Sequence, residues 1–288
     1  MTSFTALDVT MSPDVRVHPP RGLASFFIIA FTFSWLIWWV GPLINPEPSA
    51  TLALVIAGSF GPGAAATAVT AALEGRRGLK GLFGRYLPGR QGGKRPYLVS
   101  GGIFLVLLGS GGIAVAAGMP LLPEGLSQGL LALPGTILLI ALAGGGNEEL
   151  GWRGFALPRL QAAMPPVASN VMLGMVWALW HAPLWSMATS QSTTSFPIYV
   201  VFVVGITIVL GFVFNLADGG LLAVVIAHTA VNAAGGLKAS ALGGVHQVPD
   251  LIAIAVIALV ILIVTTGRLG LPHGAGTAPY GAQPRALT

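Results

Sequence analysis

The chain has no cysteine and very little charge. The absence of cysteine among its 288 residues excludes a disulfide framework, a cysteine-based zinc site, a thiol nucleophile and palmitoylation of this chain. Charged residues make up only 8% of the chain, against roughly 25% in an ordinary soluble domain. Fourteen basic and nine acidic side chains cannot cover the surface of a soluble globule of this size. Disorder is excluded as well, because 54% of the residues are hydrophobic and disordered chains are poor in them. An integral membrane protein is what remains.

What the chain does have is apolar runs long enough to cross a hydrocarbon layer, which takes about 17–25 helical residues each. Spans are read near residues 23–44, 50–73, 97–118, 133–157, 170–187, 196–216, 220–237 and 251–266. Backbone groups in lipid must be satisfied internally, so these are helices; the alternating pattern of a membrane barrel is absent. The fold class expected is therefore all-α, with about eight transmembrane helices. The first span is about twice the usual length of a signal-peptide core and no small-residue cleavage site follows it, so it reads as a retained helix. Trp35, Trp38 and Trp39 within it look like interfacial anchors. One membrane domain, 23–266, is expected between an amino-terminal tail, 1–22, and a flexible carboxy-terminal tail, 267–288.

The basic residues set the orientation. Arg76, Arg77, Lys80, Arg85, Arg90, Lys94 and Arg95 crowd the second connection. With that connection in the cytoplasm, Arg16, Arg21, Arg153, Arg159, Arg268 and Arg285 fall on the same side and Lys238 alone is left outside. This is the positive-inside pattern, and it puts both termini in the cytoplasm, with the cell membrane as the expected location. The basic connection reads as a topology signal that meets anionic membrane lipids. No nucleic-acid-binding motif accompanies it, so nucleic acid is not an expected partner.

A charge at the centre of a bilayer costs about 2.5–3.5 kcal/mol on insertion scales and marks a functional hypothesis by default. Within the spans these are Glu148, Glu149, Arg153, His181 and His228, with the polar Asn232 beside the last. Glu149 and Arg153 are four apart and can pair on one helix face, while Glu148 is rotated by about 100° from Glu149. His228 and Asn232 share another face, and Trp177 stands one turn before His181. Counted from the expected cytoplasmic helix ends at 1.5 Å per residue, Glu148, His181 and His228 lie about 14, 17 and 12 Å deep. Three helices thus bring ionisable groups to nearly one level.

A carboxylate in an apolar cavity becomes a usable general base, and with an imidazole it can activate water. A second imidazole and an amide one turn away can donate to an oxyanion. That set makes a peptide hydrolase. Glu148, His181 and His228 could alternatively hold zinc, although no His-Glu-x-x-His motif occurs. Glu149 and Arg153 read most simply as a neutralising ion pair, Trp177 and Trp180 as packing aromatics, and Asp218 as a turn residue. Spacing alone leaves a hydrolase and a proton-coupled transporter equally open.

At these residues the sequence resembles the CPBP family, the CAAX-prenyl-protease and bacteriocin-processing membrane proteins also called Abi proteins. Glu148-Glu149-Leu150-Gly151-Trp152-Arg153 fits Glu-Glu-x-x-x-Arg, Trp177 to His181 corresponds to Phe-x-x-x-His, and His228 to Asn232 fits His-x-x-x-Asn. Trp177 stands where the family usually has Phe. The matched region runs over residues 144–232. The resemblance implies an intramembrane endopeptidase whose active-site cavity opens to the cytoplasm and laterally to lipid, cutting a peptide bond near the cytoplasmic face. It implies water activation by Glu148 and His181, an oxyanion hole of His228 and Asn232, and support from Glu149 and Arg153. The substrate would be a peptide or protein, including membrane-bound or lipid-modified ones. The family has been read both as metalloproteases and as glutamate-dependent; Asn232 suits an oxyanion donor better than a zinc ligand, so the metal-free scheme, without cofactor, is favoured and zinc is the alternative. A non-catalytic immunity or partner-binding protein of the same family is the second reading.

Overall fold

A computed structural model describes residues 21–44, 47–87 and 93–272. The expectations for most of the two tails lie outside the described residues. Among those described the chain is helical and contains no strand. Among the described residues eight segments are long and apolar enough to cross a membrane, in agreement with the eight spans read from hydropathy, and the chain is an all-α integral membrane protein.

The first crossing is α1, Leu23–Ile44. The second joins α2, Pro48–Ser59, to α3, Gly61–Phe83. Within α3, Gly75 takes φ 61° and ψ −155°, a backbone conformation open to glycine and strained for other residues. The chain turns there, and the exposed Arg76, Arg77 and Lys80 follow at once, so the apolar crossing ends where the basic connection begins. The third crossing is α4, Arg95–Ala116. The fourth is interrupted: α5, Pro123–Ala143, stops at Gly144, α6 covers Gly145–Gly151, a π-helical turn Trp152–Ala156 follows, and α7 closes with Leu157–Gln161. The remaining crossings are α8, Pro166–Trp180, α9, Phe196–Leu216, α10, Leu222–Leu242, and α11, Gln247–Val264.

Helix α10 packs against α4, α5 and α9, while α9 also packs against α8 and α11, and α1 against α3. The outer faces stay apolar: Leu131 on α5 is 86% exposed, with Leu138 and Leu142 on the same helix also exposed. In water such a surface would drive aggregation; in lipid it is the proper solvent. Backbone groups freed by the break at Gly144 find partners nearby. Asn147 Nδ2 donates to Leu142 O at 2.7 Å, Ser59 Oγ donates to Ala143 O, and the Tyr86 hydroxyl donates to Gly146 O. A break at membrane depth is tolerated only with such replacements.

The start of the basic connection is bound to the turn between α9 and α10. A 3₁₀ turn, Gly84–Tyr86, is strapped to it: Leu221 N donates to Arg85 O at 2.8 Å and Arg85 Nη1 donates to Gly219 O at 3.2 Å. Beneath the strap Trp152, Phe155, Leu157 and Leu160 are fully buried. A cavity of about 330 Å³ lies instead toward the opposite end, lined by Ser110, Tyr199, Asn232, Lys238 and Gln247 among others. Its lining comes from α4, α9, α10 and α11, mainly from the halves farther from the basic connection, and from the connections before α9 and α11.

Lys238, the one cation that the charge pattern left on the wrong side, is compensated. It pairs with Asp250 on α11 and donates to Ser110 Oγ at 2.8 Å, while Ser110 Oγ donates to Asp250 Oδ1 at 2.6 Å. Three helices are tied by these contacts. Removing one partner of a mostly buried pair leaves an uncompensated charge and here should cost about 2 kcal/mol. Asp250→Asn is therefore expected to lower Tm in detergent by several degrees, and the double variant Lys238→Met/Asp250→Leu to recover most of it; equal losses in single and double variants would refute the pairing.

Candidate active site

Two adjacent carboxylates on α6 diverge to different partners, as their offset around a helix requires. Glu148 points inward and is 6% exposed; its Oε2 accepts from the Trp177 indole N–H at 2.8 Å. Glu149 has no exposed surface. Its Oε1 accepts from Arg153 Nη1 at 2.9 Å and from His228 Nδ1 at 2.7 Å. Arg153, also without exposed surface, lays its guanidinium over the Trp177 ring at 4.6 Å. The ion pair expected of Glu149 and Arg153 is present, and it is shared with an imidazole from another helix.

Close approach of α6 to α10 depends on Gly145. A Cβ at that position would stand 3.1 Å from Cγ of His228, so any side chain would crowd the imidazole that is bonded to Glu149. The π-helical turn begins shortly after Glu149, with Leu157 N–H reaching back to Trp152 O. Such a turn rotates the register of the residues beyond it, and here Trp152 and Phe155 enter the core while Arg153 faces the site.

His181 sits at the end of α8, not inside a longer helix as the 170–187 span implied. The helix stops at Trp180 and a 3₁₀ turn, Ala182–Ser186, continues. Pro183, two residues on, is incompatible with the α-helical hydrogen-bond pattern there. The imidazole Nδ1 lies 2.9 Å from Trp177 O. A carbonyl only accepts, so Nδ1 carries the proton, and in the neutral ring Nε2 keeps a free lone pair. Around this ring stand Trp180 at 4.6 Å, Tyr199 at 5.6 Å, Trp177 at 5.7 Å and Trp38 at 6.5 Å between ring centroids. The His228 ring packs edge-on to Trp177 at 5.3 Å.

Asn232 lies one turn beyond His228 on α10, and its side chain is exposed into the cavity without a hydrogen bond among the described residues. Ten residues from the start of α10, it is about 15 Å along a helix roughly 31 Å long, near mid-depth. The structure therefore gathers Glu148, Glu149, Arg153, His181 and His228 around one indole and brings Asn232 to the adjoining cavity. Among the described residues no group of three His, Asp or Glu side chains is arranged to hold a metal ion.

Three participants escape a reading by spacing. Trp177, taken there as packing, touches four of the polar residues. Trp38, taken as an interfacial anchor, is 1% exposed and packs on Trp180 at 4.7 Å. Tyr199 both edges His181 and lines the cavity. The four-residue interval from Trp177 to His181 was a signal for the first; a single tyrosine near the start of an apolar helix gives none for the last.

Residues 130–234 match the family model described as "Type II CAAX prenyl endopeptidase Rce1-like". The chain is also similar to "CAAX prenyl protease 2" of Methanococcus maripaludis, 40% identical over 48 residues. That stretch covers 17% of this chain and 18% of the relative, so the chain spans under a fifth of the length of the curated relative it matches. The matched region holds all three motifs, and over it the chain is similar to CAAX prenyl endopeptidases.

Proposed function

We propose that this protein is an intramembrane endopeptidase, CAAX-protease-like, that hydrolyses a peptide bond with water activated by Glu148 and His181. The observation that carries this reading is the gathering of both residues and of His228 on the single indole of Trp177. The substrate is a peptide or protein; similarity to CAAX prenyl endopeptidases favours a membrane-bound or lipid-modified one, held in a cell membrane in which both termini of the protease face the cytoplasm.

Water bound between the Glu148 carboxylate and Nε2 of His181 gives a proton to Glu148 as its oxygen attacks the scissile carbonyl carbon. The carbonyl oxygen becomes an oxyanion, which Asn232 Nδ2 and His228 Nε2 stabilise by donating hydrogen bonds. As the tetrahedral intermediate collapses, the C–N bond breaks and the departing amine takes the proton from Glu148. His228 already donates from Nδ1 to Glu149, so donation from Nε2 requires the imidazolium form. With it protonated, two carboxylates face two cations and the cluster is neutral in its apolar surroundings. Glu149, Arg153 and Trp177 position the reacting groups without touching substrate.

Glu148→Gln should lower kcat by about 10²–10⁴-fold, the scale of general-base catalysis, with the protein still folded. Asn232→Ala should cost about 10²–10³-fold in kcat, as for one oxyanion donor, with Tm unchanged because the amide supports nothing else. Full activity in either variant would remove the proposed role, and a biological effect that persists in Glu148→Gln would point to partner binding. Trp177→Phe keeps a ring but loses the N–H to Glu148. A hydrogen bond to a charged group is worth about 1.5–3 kcal/mol, so kcat should fall about 10–150-fold with KM little changed; undiminished kcat would exclude Trp177 as a positioning residue.

The scheme is metal-free, so a chelator should leave peptide cleavage unaffected. Loss of activity that zinc restores would instead place Glu148, His181 and His228 on a metal.

A further inference from the structure

One hydroxyl beside the proposed site has no part in the hydrolysis as described. Tyr199, the fourth residue of α9, is the one side chain with a polar atom between Phe196 and Ile206. Where a ring alone is wanted, phenylalanine serves, as it does at Phe196 and Phe202 in the same helix. A tyrosine brings a phenolic O–H as well, and a buried tyrosine usually finds a hydrogen-bond partner for it. Among the described residues the Tyr199 hydroxyl has none.

The ring is held from two sides. It packs T-shaped on the His181 imidazole at 5.6 Å and on Trp185 at 4.8 Å between centroids. Each neighbour is itself fixed: His181 Nδ1 donates to Trp177 O at 2.9 Å, and Trp185 Nε1 donates to Thr194 O at 2.9 Å. The direction of the phenol is therefore set before any substrate arrives. Tyr199 borders the cavity that Asn232 also lines, and its hydroxyl is near enough to the Glu148 carboxylate for the two to interact electrostatically. A donor that is already oriented, with no bond to give up, can stabilise a developing charge without reorganisation.

We propose that Tyr199 is a further catalytic residue, whose hydroxyl donates a hydrogen bond to the same oxyanion as Asn232 and His228. This rests on the endopeptidase reading above and adds a third donor to it. Tyr199 stands beside His181, and Asn232 stands one turn beyond His228, so a carbonyl placed between them meets donors from both α9 and α10. The phenol keeps its proton throughout. Charge grows on the carbonyl oxygen as water attacks and is withdrawn as the C–N bond breaks. The hydrogen bond strengthens and weakens with that charge, and no covalent bond to Tyr199 is made or broken.

Tyr199→Phe tests the hydroxyl alone, because the ring that packs on His181 and Trp185 is kept. In the full-length protein kcat should fall about 10²-fold, as for the loss of one oxyanion donor, with KM little changed and Tm unaltered. Undiminished kcat overturns the proposal, and so does a loss of kcat that comes with a lower Tm. A change confined to KM also overturns it, since the hydroxyl would then be a ground-state contact. A binding measurement needs no turnover. A hydrophobic phosphinic peptide, whose tetrahedral anionic phosphinate stands in for the intermediate, should bind the wild type more tightly than Tyr199→Phe by about tenfold or more, the scale of a hydrogen bond to a charged group. Its ketomethylene analogue, planar, uncharged and uncleavable, should bind the two proteins alike. Equal affinity of both proteins for the phosphinic peptide, or an equal loss for both peptides, overturns the assignment. The expected preference for the phosphinic peptide, with no peptide cleaved by the wild type, would fault the endopeptidase reading and leave Tyr199 as the donor to a bound anion.

Discussion

The site depends on one carboxylate that water does not reach. Glu149 Oε1 accepts hydrogen bonds from Arg153 on its own helical segment and from His228 on α10. Arg153 in turn rests on the ring of Trp177 from α8. Two membrane segments are therefore bound through a single oxygen, and Arg153 ties in the third. In hydrocarbon none of these groups is stable unpaired: removing one partner of a buried pair typically costs about 3–5 kcal/mol. Desolvation makes the arrangement selective, since only the register that closes all of these contacts avoids the penalty. Glu148, one residue earlier, is spared this duty and among the described residues accepts a single side-chain hydrogen bond, from the Trp177 indole.

Trp177 converts a set of pairings into a site. An indole has a donor at its edge and a negative face. The donor goes to Glu148, the face receives Arg153, the backbone carbonyl takes the His181 Nδ1 proton, and the ring meets His228. A phenylalanine, as at this position in the family resemblance, could supply the face and the carbonyl but not the donor. The departure in sequence thus coincides with a contact that only tryptophan makes. Beyond it, Trp38, Trp180 and Tyr199 enclose His181 and fix its ring plane.

Hydropathy made the number and order of the crossings legible, because about twenty apolar residues have no other use in such a chain. The pairing of Glu149 with Arg153 was legible too, since interval and charge suffice. The features that stayed hidden depend on shape. The break at Gly144 and the π-helical turn at Trp152–Ala156 leave the apolar pattern unbroken, so the fourth crossing reads as one helix. The end of α8 at Trp180 was signalled by Pro183 but overridden by the hydrophobicity of the residues around it. Lys238 looked like a violation of the charge rule because its partner, Asp250, comes from the next helix. Trp38 looked like an anchor because length along α1 says nothing about which face meets the bundle.

The interrupted fourth crossing explains why this bundle can hold so much charge. A continuous helix spends its backbone groups on itself and presents side chains at fixed intervals of about 100°. Stopping at Gly144 and resuming at Gly145 lets α6 press its glycine backbone onto the His228 imidazole, closer than a chain of larger residues could come. The wider turn after α6 carries Arg153 toward Trp177 while Trp152 and Phe155 fill the core below. The same distortion that assembles the charges therefore also packs the aromatic layer beside them. Charge pairing and core packing are consequences of one irregular segment, and a regular helix in its place would forfeit both.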